Sequence, residues 1–128
     1  MNQVHALIIE DKQDNAILFR DVLLLANCQV DNARDGLEAL DWLKSHESPQ
    51  LILLDMNIPH LNGLEVYRYI RQQTRFDITQ IIAATANIPL AEQLKKELLT
   101  GDLIMHKPVN IMEILKIAEG IANQMSIN

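Results

Sequence analysis

The sequence contains one cysteine, Cys28, so no internal disulfide can form and the chain suits a reducing compartment. Nothing near Cys28 in the sequence would activate a thiolate, and its expected place is in the core as a small apolar side chain. Basic charge is also scarce: 11 Lys and Arg stand against 17 Asp and Glu, for a net charge of −6. That balance removes the electrostatic footprint of a nucleic-acid or anionic-membrane binder. No run approaches the ~20 apolar residues of a membrane span. The opening Met1-Asn2-Gln3 lacks the basic segment of a secretory signal. The four histidines, His5, His46, His60 and His106, show no metal-ligand spacing. Repeats, low-complexity tracts and interdomain linkers are missing as well. With 48% hydrophobic and 22% charged residues, the expectation is one soluble cytoplasmic domain, residues 1–128, large enough for a real core.

What is present centres on Leu51-Ile52-Leu53-Leu54-Asp55-Met56-Asn57-Ile58-Pro59. Four consecutive aliphatics predict a short strand buried on both faces, as in the middle of a parallel sheet. Asp55 follows, and Pro59, Asn62 and Gly63 then break the backbone into a loop. Residues 4–9 form a similar run, ended by Glu10-Asp11. Asp14 is expected to cap the next helix, with Ile17, Leu18, Val22 and Leu25 on its apolar face. Residues 29–33 are weakly strand-like, and Asp35-Gly36 opens a helix over 37–44 with Leu37, Leu40 and Leu43 inward. Further helices are predicted at 64–73 and 90–99, and strands at 80–84 and 103–105. Asn110-Ile111-Met112-Glu113 has the form of a capping box before a last helix. Tyr67 and Tyr69 cannot share a helix face, so one of them is expected outside. Trp42 is expected to be partly buried, and Met56 to shape access to Asp55.

Strand and helix thus alternate five times, predicting an α/β fold with a parallel sheet covered on both faces. Glu10-Asp11, Asp55, Thr85 and Lys107 all fall at strand ends. In a parallel sheet those ends share one edge, where open α/β sheets put their ligand sites. Three carboxylates within ~4 Å cost several kcal/mol per pair at an effective dielectric of ~20. Lys107 offsets part of that repulsion, and a divalent ion would offset the rest. Oxygen-only ligands favour Mg²⁺ over zinc. A carboxylate beside Mg²⁺, a lysine and a threonine hydroxyl can attack phosphorus and become an acyl phosphate.

In these residues the chain resembles the receiver domain of two-component response regulators. The marks are Ile8-Ile9-Glu10-Asp11, Ala33-Arg34-Asp35-Gly36, Leu53-Leu54-Asp55-Met56-Asn57-Ile58-Pro59, Asn62-Gly63, Ala84-Thr85-Ala86 and Lys107-Pro108. The resemblance, nearest in form to stand-alone chemotaxis and cell-division regulators, runs from Leu7 to about Ala122. It implies a doubly wound, flavodoxin-like (βα)5 fold with strand order 2-1-3-4-5. It implies that Asp55 is the phosphoacceptor, that Thr85 is the switch hydroxyl and that Lys107 pairs with the phosphoryl group. By the same resemblance Asp11 and Asp55 bind Mg²⁺ through side chains, Asn57 through its carbonyl and Glu10 through water. The Lys107-Pro108 bond would be cis. The implied partners are a histidine kinase or histidine phosphotransfer protein and an unidentified downstream protein, with no direct nucleic-acid contact and no membrane insertion. The chain would not be an enzyme beyond assisting its own phosphorylation and dephosphorylation.

One departure concerns switching. The family usually has Tyr or Phe three residues before the lysine; here that residue is Ile104. Glu10 stands where Asp is also common, and Val109 replaces a frequent Phe. The rival readings are a receiver segment of a larger regulator or hybrid kinase, an aspartyl-nucleophile phosphatase and a non-phosphorylated pseudo-receiver. The phosphatases of the haloacid-dehalogenase type want Asp-x-Asp after the first strand, whereas the triplet here is Asp55-Met56-Asn57 after the third. The complete set Glu10, Asp11, Asp55, Thr85 and Lys107 speaks against a pseudo-receiver.

Overall fold

Alternation of side chains along each strand sends one set of aliphatics to each face of the sheet, and both sets must be covered. A computed structural model of the chain describes residues 3–127. Its elements are β1 (His5–Ile9), α1 (Gln13–Leu25), β2 (Gln29–Ala33), α2 (Gly36–Ser45), β3 (Leu51–Asp55) and α3 (Gly63–Arg71). A 3₁₀ turn (Thr74–Phe76), β4 (Gln80–Thr85), α4 (Ile88–Glu97), β5 (Leu103–His106) and α5 (Ile111–Ile127) follow. The strands pair in parallel in the order β2-β1-β3-β4-β5, the doubly wound flavodoxin-like arrangement expected. Leu7, Ile9, Ile52, Leu54, Ile81 and Ala83 point to one core, shared with α2, α3 and α4. Ala6, Ile8, Leu51, Leu53 and Ile82 point to the other, under α1 and α5. Each fully buried aliphatic side chain contributes about 1.5–3 kcal/mol, and the central strand, buried at all five positions, ties the two cores together.

The helix faces depart from the sequence expectation. In α1 the inward residues are Ala16, Phe19, Val22 and Leu23, while Ile17, Leu18 and Leu25 are exposed, Leu25 at 77%. This helix is apolar around most of its circumference, so several stripes satisfy helical spacing. The face that turns inward is the one carrying Phe19, the only aromatic side chain of the helix. Asp14 does not cap α1: Lys12 holds that position without a side-chain cap, and Asp14 lies in the first turn. In α2, Ala39 and Leu43 face inward while Leu37 is exposed and Leu40 half-buried. Its first turn lies against the loop after β3, where a Cβ on Gly36 would come 2.1 Å from the Leu61 carbonyl oxygen. Helix α3 stops at Arg71, and α4 starts at Ile88, capped by the Asn87 side chain accepting from the Leu90 N–H at 3.0 Å. Only half of the expected capping box forms before α5: the Asn110 side chain accepts from the Glu113 N–H at 3.3 Å. Trp42 is partly buried and stacks on His46, with ring centroids 4.1 Å apart. Tyr67 is buried and Tyr69 half-buried, so neither lies fully outside.

The amino ends of β4 and β5 carry a polar cluster that the sequence did not advertise. Asp102, buried at 5% exposure, accepts from Arg71 Nε at 2.8 Å and Nη2 at 2.7 Å. It also accepts from the Tyr67 hydroxyl at 2.7 Å and the Ile81 N–H at 2.9 Å. Arg71 donates further to the carbonyls of Phe76 (2.9 Å) and Thr79 (2.6 Å). The Tyr67 hydroxyl in turn accepts from the Leu99 N–H at 2.9 Å, just past α4. Every charge here has partners, so removing the carboxylate leaves a largely buried guanidinium, its side chain 13% exposed, uncompensated. Asp102→Ala should therefore lose about 3–5 kcal/mol. Tyr67→Phe, which removes one hydroxyl, should lose about 1–2 kcal/mol. Urea unfolding of the two variants checks this; equal losses would mean that the Arg71–Asp102 pair is not the keystone of the cluster.

Candidate functional site

Strand register brings the polar residues together. Ile9 pairs with Leu54 and Asp55 with Ala84, so Glu10 and Asp55 emerge side by side. Thr85 pairs with His106, one residue before Lys107. Asp55 is buried and is the last residue of β3, and the Met56 N–H that follows it donates to the Ala84 carbonyl at 3.0 Å. Its Oδ1 accepts from Lys107 Nζ at 2.9 Å and from the Asn57 N–H at 3.0 Å. Lys107 is 26% exposed, against 3% for the Asp55 side chain, so the lysine reaches into the site from its rim. The Lys107–Pro108 peptide is cis, as the resemblance implied. Met56 is buried in the core beneath Gly63, whose added Cβ would meet the Met56 Cα at 2.4 Å. It therefore supports the loop after β3 and does not shape access to Asp55, the role expected for it.

Glu10, Asp11 and Asp55 each bring a carboxylate oxygen within 4.8 Å of the others. Glu10 is buried, and its Oε1 has no hydrogen-bond partner. Its other oxygen accepts from the Lys12 N–H at 3.2 Å. An orphaned buried carboxylate oxygen facing two further carboxylates fits a hard cation that takes oxygen ligands. Without one, burial first, then a proton-sharing contact with Asp55 and its charge, push the Glu10 pKa from 4.5 up to about 7. The Lys12 N–H and the charge of Lys107 oppose that rise.

Thr85 is also buried, and its Oγ1 accepts from the Asn87 N–H at 2.9 Å. The hydroxyl proton is thereby left to donate to a group arriving beside Asp55. A cleft of about 480 Å³ opens there, lined by Lys12, Asn57, Thr85, Asn87 and Lys107 among others. All the residues singled out from the sequence thus meet at one edge, Glu10 and Asp11 on one side of Asp55, Thr85 and Lys107 on the other. Asn57 contributes a backbone N–H to Asp55. Lys12 and Asn87 were not singled out. A signal existed for both, because Lys12 directly follows the strand-end acids and Asn87 lies two residues after Thr85.

A five-stranded parallel sheet with acids, a threonine and a lysine at the carboxyl edge defines a class of signalling domain. Residues 6–119 match the family model of the response regulator receiver domain, and the chain belongs to that family. Among curated proteins, it is 34% identical over 122 residues to the autoinducer 2 sensor kinase/phosphatase LuxQ of Vibrio parahaemolyticus, covering 95% of this chain and 13% of that protein. It is 38% identical over 80 residues to the polar-differentiation response regulator DivK of Brucella anthropi, covering 62% of this chain and 64% of that one. The matched regions thus span less than two thirds of these relatives. Among solved structures, the chemotaxis response regulator CheY4 of Vibrio cholerae superposes with a TM-score of 0.79 at 23% identity, covering 93% of this chain and 98% of that chain. The signal receiver domain of a signal transduction histidine kinase from Syntrophus aciditrophicus gives 0.81 at 21%, covering 94% and 91%. At those identities the likeness speaks for the fold alone. Among the described residues, no helix is long and apolar enough to cross a membrane.

The raised Glu10 pKa has a consequence for stability. Folded, metal-free protein holds the Glu10 proton more tightly than the unfolded chain does. Between pH 4.5 and about 7 it binds more protons than the unfolded state, so stability is greatest at the acid end and falls as pH rises. The loss is on the order of 2–3 kcal/mol. Glu10→Gln should remove this component, and the difference between its melts and those of the parent, recorded in EDTA from pH 5 to 8, measures it. Parallel pH profiles for the two proteins would show that Glu10 is not strained.

Proposed function

We propose that this chain is a phosphoacceptor switch, in which Asp55 receives a phosphoryl group from a histidine kinase or histidine phosphotransfer protein. The observation that carries the reading is the single oxygen of Asp55 held by both the Lys107 ammonium and the Asn57 N–H, with Glu10 and Asp11 alongside. With Oδ1 so engaged, Oδ2 is the oxygen that attacks phosphorus. An O–P bond forms to Oδ2 as the donor's bond to phosphorus breaks, and the donor leaves with the electron pair. Lys107 then turns from the carboxylate to a phosphoryl oxygen, which retains the neutralisation it gave to Asp55. Thr85 donates its free hydroxyl proton to another phosphoryl oxygen. The side chains of Asp11 and Asp55, the carbonyl of Asn57 and, through water, Glu10 would hold Mg²⁺. The ion would neutralise charge on the transferred group. The protein works as a signalling partner on the cytoplasmic side and turns over no external substrate; its downstream target is another protein.

Mass spectrometry after treatment with acetyl phosphate tests the assignment. One added phosphoryl group is expected in the parent with Mg²⁺, and none in Asp55→Asn or in EDTA. An acyl phosphate in Asp55→Asn would remove Asp55 from the role.

Ile104 bears on how the switch is read. It is half-buried in β5 and packs on the core shared with α2, α3 and α4, and it has neither ring nor hydroxyl to exchange between partners. A phosphoryl group shifts a conformational equilibrium only by its differential affinity for the two states. The response is therefore concentrated at Thr85 and residues 86–90. Amide NMR with beryllofluoride on Asp55 should show its large shifts there, and shifts as large through 103–105 and α5 would assign the switch to Ile104.

A further inference from the structure

Lys12 is held by its backbone on both sides. Its N–H donates to Glu10 Oε2 at 3.2 Å, and its carbonyl accepts from the Ala16 N–H at 3.0 Å in the first turn of α1. The side chain is exposed and lines the cleft of about 480 Å³ together with Asn57, Thr85, Asn87 and Lys107. Among the described residues, its ammonium forms no ion pair. The two lysines of this cleft therefore differ: Lys107 is already committed to Asp55, whereas Lys12 offers an unspent positive charge at the rim. The carboxylates Glu10 and Asp11 line a separate recess on the side of Arg20 and Arg34.

We propose that Lys12 is a specificity-determining residue for the phosphoryl donor, receiving the departing carboxylate of an acyl phosphate attacked by Asp55. The inference rests on the phosphoacceptor reading given above. In an in-line displacement the leaving group departs on the side of phosphorus opposite Oδ2 of Asp55, which is the mouth of the site. As the Asp55 O–P bond forms, the carboxylate–phosphorus bond breaks, and the carboxylate takes the electron pair and a full negative charge, with no proton required. That charge develops in the transition state, so a cation at the rim speeds the step rather than merely holding the donor. An N-phosphoryl donor such as phosphoramidate departs as an amine and gains nothing from the ammonium. Lys12 thus tilts the site toward acyl phosphates.

The measurement is the ratio of the phosphorylation rate constant with acetyl phosphate to that with phosphoramidate, for the parent, Lys12→Ala, Lys12→Gln and Lys12→Arg. High salt screens charges separated by more than a few ångströms, so working there isolates a local contact. An exposed ion pair corresponds to about a two- to fivefold effect. The ratio is expected to fall by that factor in Lys12→Ala and Lys12→Gln and to return in Lys12→Arg. Lys44→Ala, on α2, controls for net charge and should keep the parental ratio. A parental ratio in Lys12→Ala, whether both rates fall together or neither moves, would overturn the proposal, as would the same drop in Lys44→Ala. Failure of the parent to label with either donor would instead overturn the phosphoacceptor reading itself.

Discussion

A strand with aliphatic side chains on both faces cannot meet water on either, and Leu51–Asp55 imposes that constraint on everything around it. Helices must cover both sides of the sheet, so successive strands must be joined by crossovers and run parallel. Parallel strands bring all their carboxyl ends to one edge. Glu10, Asp55, Thr85 and Lys107 belong to four different strand ends, and nothing else is needed to make them neighbours. The site is a by-product of how the central strand is buried.

That convergence has an electrostatic price. Two buried acids and a third at the surface share one corner with a single engaged lysine. One buried carboxylate oxygen is left without a partner, and Glu10 holds its proton up to about pH 7. The crowding that weakens the folded chain is the same arrangement that offers oxygen ligands to a hard cation.

The architecture was legible in the sequence because its signals are coarse and repeated. Short aliphatic runs ending in acids, separated by helical stretches, leave little choice of fold, and topology alone carries the motif residues to one edge. Facing within the helices was not legible. Helix α1 has four leucines, a valine and an isoleucine spread around its circumference, and the inward face is the one with Phe19, an orientation that spacing left open. The loop support by Met56 was hidden because it depends on the close approach of Gly63. Tyr67, Arg71 and Asp102 looked unremarkable in sequence, since Tyr67 and Asp102 stand 35 positions apart and no local pattern marks two residues that will share a buried hydrogen bond.

The Tyr67–Arg71–Asp102 cluster also sets how the chain can change over generations. It lies at the amino ends of β4 and β5, opposite Asp55, and its polar atoms are mutually satisfied. Substitution there costs folding and is filtered out as lost protein. At the other pole, neutralising a crowded acid relieves repulsion, so a variant that has lost its function can be sturdier than its parent. Selection for robustness alone would therefore erode the acidic edge first and keep the opposite end unchanged.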